Sequence, residues 1–129
     1  MSNLSAVIEF RLKLYPRDFY KSREFYEHEL GYMVTNEWDR PDSKGVLFYV
    51  GGTTLELLSP EAEFKQFSGV DVSWRVDDVW KLYESMKYKP YLIRGLKDTD
   101  WGDTSFHIVD PEGFHITFFS ETNKKSENE

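Results

Sequence analysis

Hydrophobic and polar residues alternate in two separate stretches of this chain, and the same order of elements follows each. Residues 6–15, AVIEFRLKLY, put Ile8, Phe10, Leu12 and Leu14 on one face and Glu9, Arg11, Lys13 and Tyr15 on the other. That period of two predicts a strand with one buried face. The period then changes in PRDFYKSREFYEHELGY. Asp18 can cap a helix, Phe19, Phe25, Tyr26 and Leu30 supply its apolar stripe, and Gly31 falls where it would stop. YMVTNEWD predicts a strand and RPDSKG a turn, while VLFYV and TTLELL form a hairpin about Gly51-Gly52. The first part, 6–58, therefore reads β-α-β-β-β.

A connection follows at 59–69, where Ser59-Pro60-Glu61 suits the opening of a short helix. VDVSWRV then alternates again, with Val70, Val72, Trp74 and Val76 opposite Asp71, Ser73 and Arg75. DDVWKLYESMK predicts a second amphipathic helix, YLIRG a strand, and TSFHIV with FHITFF a closing hairpin. The second part is 70–120, and the polar tail 121–129 is expected to be disordered. Two copies of one supersecondary unit, about 60 residues each, thus share an order of elements with almost no shared identity. Each unit alone leaves one sheet face uncovered. Two together make a single domain of α+β class: two βαβββ units forming a curved, open-barrel-like sheet with helices outside and a cleft between the units.

Composition narrows the function classes. The chain has 129 residues, 40% of them hydrophobic and 17% aromatic, which predicts a folded core with aromatic side chains to spare for stacking. The net charge of −7 argues against nucleic acid, whose phosphates require clustered Lys and Arg. There is no cysteine, so disulfides, thiolate nucleophiles and Cys-ligated zinc are excluded, consistent with a cytoplasmic setting. No leader-like or membrane-spanning run is present in the sequence, which argues against a membrane partner. No nucleophile elbow, phosphate loop or nucleotide fingerprint occurs.

Three elements in order, SREFYEHELGY at 22–32, WRVDDV at 74–79 and WGDTSFHIVDPEGF at 101–114, resemble the vicinal oxygen chelate superfamily. That is the group of glyoxalase I, extradiol dioxygenases, fosfomycin-resistance enzymes and bleomycin-resistance proteins. The resemblance implies a cleft lined by the last strand of each unit. In metal-using members, it also implies one His or Glu ligand on each of four strands. Carried onto this sequence, the four positions fall on Arg11, Glu56, Asp71 and Thr117. Arginine cannot ligate a cation and threonine is a poor neutral donor, so only two ligands remain and no metal cofactor is expected.

What remains is a polar cleft floor of Glu9, Arg11, Lys13, Thr54, Glu56, Asp71, Ser73, Arg75, His115 and Thr117. Either Arg11 pairs with Glu56 or Asp71 and fills the place of a metal, or this floor recognises a ligand's polar groups. His107 is expected to serve strand packing, and Trp101 to be a rim aromatic beside the groove. Trp38, Phe48, Tyr49, Tyr91 and Phe119 are further candidates for stacking.

The resemblance is nearest to the bleomycin-resistance branch, which implies a homodimer that sequesters a small organic molecule, cationic or aromatic, without metal. The expected ligand-binding residues are Arg11, Glu56, Asp71, Trp101, His115 and Thr117, with Glu56 and Asp71 attracting a cationic group. The alternative is a metal-dependent lyase, isomerase or dioxygenase with an altered ligand set built on Glu56, Asp71 and His115. Glu56 acting as a general base without metal is a variant of it. A third reading is a vestigial cleft in a protein whose role is assembly.

Overall fold

The computed structural model describes residues 5–60 and 69–122. The chain divides into two units, Met1–Gln66 and Phe67–Glu129. In the first, the strands are β1 (Arg11–Leu14), β2 (Met33–Arg40), β3 (Ser43–Val50) and β4 (Thr53–Pro60), with helix α1 (Phe19–Glu24) between β1 and β2. They form one sheet in the order β1-β4-β3-β2, with β1 parallel to β4 and the other pairs antiparallel. The β3–β4 turn needs two residues in the left-handed region, and Gly51 (φ 56°) and Gly52 (φ 81°) supply them.

Asp18 caps α1 by accepting from the Lys21 amide at 3.0 Å. The helix continues as a π turn over Phe25–Glu29, where the Leu30 amide donates to the Phe25 carbonyl at 2.9 Å. Gly31, at φ 74°, ends it. The buried side chains Phe19, Phe25 and Tyr26 come from this helical segment, and Val46, Phe48, Leu55 and Leu57 from the sheet. Tyr26 and Phe48 meet with ring centroids 6.2 Å apart. Phe48 is therefore a core residue and offers no stacking surface.

The expected first strand is shortened. β1 begins at Arg11, opposite Thr54, and the Thr54 amide reaches back only to the Phe10 carbonyl at 3.2 Å. β4 starts immediately after the Gly51-Gly52 turn, so residues before Phe10 have no partner strand to lengthen β1. Ile8 and Phe10 are accordingly exposed, contrary to the buried face expected for them. At the other end β4 runs to Pro60, so Ser59 and Pro60 finish a strand where a helix opening was expected; Glu61 and the rest of that connection lie outside the described residues.

On β2 and β3, Trp38 faces Gly45 across the sheet and its indole donates to Ser43 Oγ at 2.9 Å. A Cβ added at Gly45 would collide with the Trp38 ring. Gly45→Ala is expected to destabilise the protein by about 1–3 kcal/mol, the usual cost of overpacking. A urea titration checks this, and an unchanged midpoint would show that the indole moves aside freely.

The second unit repeats the plan. Its strands are β5 (Val72–Arg75), β6 (Leu92–Asp98), β7 (Asp103–Val109) and β8 (His115–Glu121), with α2 (Val79–Met86) after β5. The order is β5-β8-β7-β6, with β5 parallel to β8. Asp78 caps α2 through the Lys81 amide, and Ser120 Oγ on β8 accepts from the Val79 amide at 3.0 Å, fixing where α2 begins. Phe106, Ile108, Ile116 and Phe118 face the core with Val79 and Met86. β6 extends three residues past the expected YLIRG, with two register irregularities against β7, between Leu92 and Arg94 and between Arg94 and Lys97. β8 takes in Glu121, the first residue of the expected tail; residues 123–129 of that tail lie outside the described residues. Among the described residues no helix is long and apolar enough to cross a membrane.

Candidate functional site

In each unit the candidate polar residues alternate along the strands with the core residues. In the first, the parallel β1–β4 pairing sets Arg11 across from Thr54 and Lys13 across from Glu56. Arg11 Nε lies 2.8 Å from Glu9 Oε1, and its Nη1 lies 3.3 Å from Glu56 Oε1. Thr54 Oγ1 donates to Glu9 at 3.2 Å. Glu56 is only 7% exposed, whereas the Arg11 side chain is half-exposed. The hydrogen bond and charge of Arg11 hold the Glu9 carboxyl below its ordinary pKa.

This arrangement does not suit a divalent metal. A guanidinium occupies the position from which a first ligand would come, and it already uses the Glu56 carboxylate. Among the described residues no three His, Asp or Glu side chains are grouped to hold an ion. No step of chemistry is assigned to a metal here.

In the second unit the polar face forms a half-open cavity of about 520 Å³. Ser73 from β5, Arg94 and Lys97 from β6, Ser105 and His107 from β7, and Thr117 and Phe119 from β8 line it, and Trp101 with its neighbours in the β6–β7 turn closes one end. The register explains the convergence: Thr117 stands opposite both Ser73 and His107, and His107 stands opposite Arg94. Trp101 is 79% exposed, and its indole N–H donates to Asp103 Oδ2 at 3.1 Å, so one ring edge is held while the faces stay open.

Behind His107 lies His115, whose Nδ1 is 3.3 Å from His107 Nε2, the rings meeting edge to face at 5.1 Å. Burial chiefly lowers the His107 pKa, the charges of His115 and Arg94 add to this, and Asp71 opposes it. His107 is thus neutral near pH 7, able to donate from one nitrogen and accept at the other.

Of the expected ligand contacts, Trp101 and Thr117 line this cavity, and Asp71 and His115 sit by His107. Arg11 and Glu56 form the pair of the first unit. His107, expected only to pack strands, lines the cavity instead. Sequence reasoning missed Arg94, Lys97 and Ser105. The irregularities in β6 break the simple alternation that would have assigned Arg94 and Lys97 a face. Ser105 could have been found, because it keeps the parity of His107 along β7.

The sequence profile of the Glyoxalase/Bleomycin resistance protein/Dioxygenase superfamily matches residues 10–118, and the chain belongs to this superfamily. No curated protein matches it. Among solved structures, TnmS3, an antibiotic binding protein from Streptomyces sp. CB03234, superposes with a TM-score of 0.71 at 20% identity, covering 94% of this chain and 99% of its own. A glyoxalase/bleomycin resistance protein/dioxygenase from Nocardioides gives 0.70 at 20% identity, over 93% of this chain and 86% of its own. Lactoylglutathione lyase from Agrobacterium tumefaciens gives 0.67 at 18% identity, over 91% and 94%. At these identities the likeness is one of fold.

Proposed function

We propose that this protein binds and sequesters a small organic molecule without metal and without chemical turnover. The observation that carries the reading is the cavity on the second sheet. Its size lies within the usual range for ligand sites, and it combines an edge-anchored indole and Phe119 with a few fixed polar groups. Trp101 and Thr117 contact the ligand, while His115 and Asp71 act through His107. Arg11 and Glu56 are offered as polar contacts of the first unit, since Glu56 Oε2 accepts no hydrogen bond among the described residues. TnmS3, an antibiotic binding protein, shares the fold, so binding is a role this fold can serve. A homodimer acting in the cytoplasm completes the proposal; the dimer rests on the resemblance, and the compartment on the lack of cysteine.

The test is a titration with planar aromatic compounds read by tryptophan fluorescence. A saturable change is expected in the wild type. Trp101→Ala is expected to remove most of that signal and weaken binding by about threefold to tenfold, the worth of one stacking pair. Because Trp101 is exposed, the fold should tolerate the change. A full-sized response in Trp101→Ala would move the site elsewhere, and turnover of a bound compound would replace sequestration with catalysis.

A further inference from the structure

We infer that the ligand of this cavity is an aryl carboxylate, whose carboxylate is gripped by Arg94; this rests on the binding reading above. Arg94 lines the cavity, and every hydrogen bond it makes goes to a neutral acceptor. Its Nη1 donates to the Gly95 carbonyl at 3.0 Å and to the Ser105 carbonyl at 3.3 Å, and its Nη2 to Ser105 Oγ at 2.9 Å. Among the described residues it has no carboxylate partner, and its Nε–H has no acceptor. These bonds fix the plane of the guanidinium while leaving Nε–H and the second Nη2–H, which lie along one edge of the fork. Two parallel donors on one edge match the two oxygens of a carboxylate.

Thr117, Ser73 and Ser105 are neutral, and His107 stands opposite Arg94 with its Nε2 taken up by His115 Nδ1 at 3.3 Å. The cavity also contains three carboxylates, but all belong to the β6–β7 end: Asp98, Asp100 and Asp103. Two of them are already engaged, Asp98 by Thr104 Oγ1 at 2.7 Å and Asp103 by Thr99 Oγ1 at 2.9 Å and the Trp101 indole. The Arg94 guanidinium is held at Ser105, two residues along β7 from Asp103, about 7 Å at the usual strand rise. An anion at Arg94 therefore sits within a Debye length of the acidic turn, and the bidentate pairing with the fork, with Lys97 on the same lining, has to outweigh that repulsion.

Calorimetric titration of the wild type with 2-naphthoate, 2-naphthamide and 2-naphthylmethylamine tests this without any variant. The expected result is that the carboxylate binds at least tenfold more tightly than the isosteric amide and than the amine. In Arg94→Lys, which keeps the charge but loses the fork, 2-naphthoate should fall at least fivefold toward the amide. Circular dichroism on that variant verifies the fold, because Arg94 also bonds to Gly95 and Ser105. Tighter binding of the amide or the amine would overturn the carboxylate assignment and leave the binding function standing. Unchanged naphthoate affinity in folded Arg94→Lys would overturn the role of Arg94. If none of the three compounds binds, the aryl-carboxylate inference fails, and the broader fluorescence titration then decides separately whether the cavity binds anything.

Discussion

Replacing Phe106 with alanine is expected to lower the unfolding free energy by about 3–5 kcal/mol, the range for deleting a fully buried aromatic ring. Phe106 is 0% exposed and sits on β7, which is paired on both sides. Its ring lies 5.3 Å from Tyr83 of α2 and 5.5 Å from Phe118 of β8, so it joins the helix to the sheet. Neighbours on a doubly paired strand cannot close fully over the space left, and the lost contacts add to the lost transfer energy. Against a total stability of 5–15 kcal/mol for typical domains, such a loss is severe. Urea unfolding followed by far-ultraviolet circular dichroism measures it, and Phe106→Leu, which keeps most of the volume, should cost much less. A loss below about 1 kcal/mol would be the size of an ordinary average substitution and would show that the ring is not the joint between helix and sheet.

The two units differ at one pair of equivalent positions. In the first unit Leu47 faces Glu56; in the second His107 faces Thr117, so these pairs stand at equivalent positions. By the same register Gly45 corresponds to Ser105. Over Gly45 the first sheet lays the Trp38 ring, close enough that no Cβ would fit, and so covers that stretch of the polar face. At Ser105 the second sheet has no such lid, and Arg94 reaches across to the Ser105 side chain and carbonyl instead. One supersecondary plan thus sets an indole over this position in one copy and a guanidinium in the other.

How far this could be read from the sequence follows from the range of the forces involved. The order of elements was legible because changes of period and turn glycines act locally: Gly51-Gly52 and the Asp18 cap stand where the pattern put them. Strand ends were less legible, because the start of β1 depends on where β4 turns, and the length of β6 on its pairing with β7. Thr117 and Trp101 were found by register and resemblance. Arg94 was hidden, since irregularities in β6 alter which face a residue takes, and irregularities are set by the partner strand rather than by local preference. His107 was visible, but its role depended on the side chains opposite it, which periodicity alone does not supply.

The turn Asp110-Pro111-Glu112-Gly113 between β7 and β8 carries the second large effect, expected from Asp110→Ala. Asp110 is 5% exposed, and its Oδ1 accepts from the amides of Glu112 and Phe114, both at 2.9 Å. Its backbone closes the same turn: the Asp110 amide donates to the Phe114 carbonyl at 3.0 Å, and the Gly113 amide donates to the Asp110 carbonyl at 2.9 Å. Gly113, at φ 87°, supplies the left-handed residue that the reversal needs. Removing the carboxylate strands two part-buried amides while the backbone bonds remain, for a cost on the order of 1–3 kcal/mol. Register adds a functional consequence. This turn fixes Val109 opposite His115 and thereby His107 opposite Thr117, so loosening it should weaken ligand binding as well as stability. Asp110→Asn keeps an acceptor oxygen in place and should recover most of the stability. Thermal melts of the two variants, with amide hydrogen exchange at Glu112 and Phe114, make the comparison. If alanine and asparagine prove equally mild, the backbone bonds alone hold the turn, and the side chain is not what sets the register of the cavity wall.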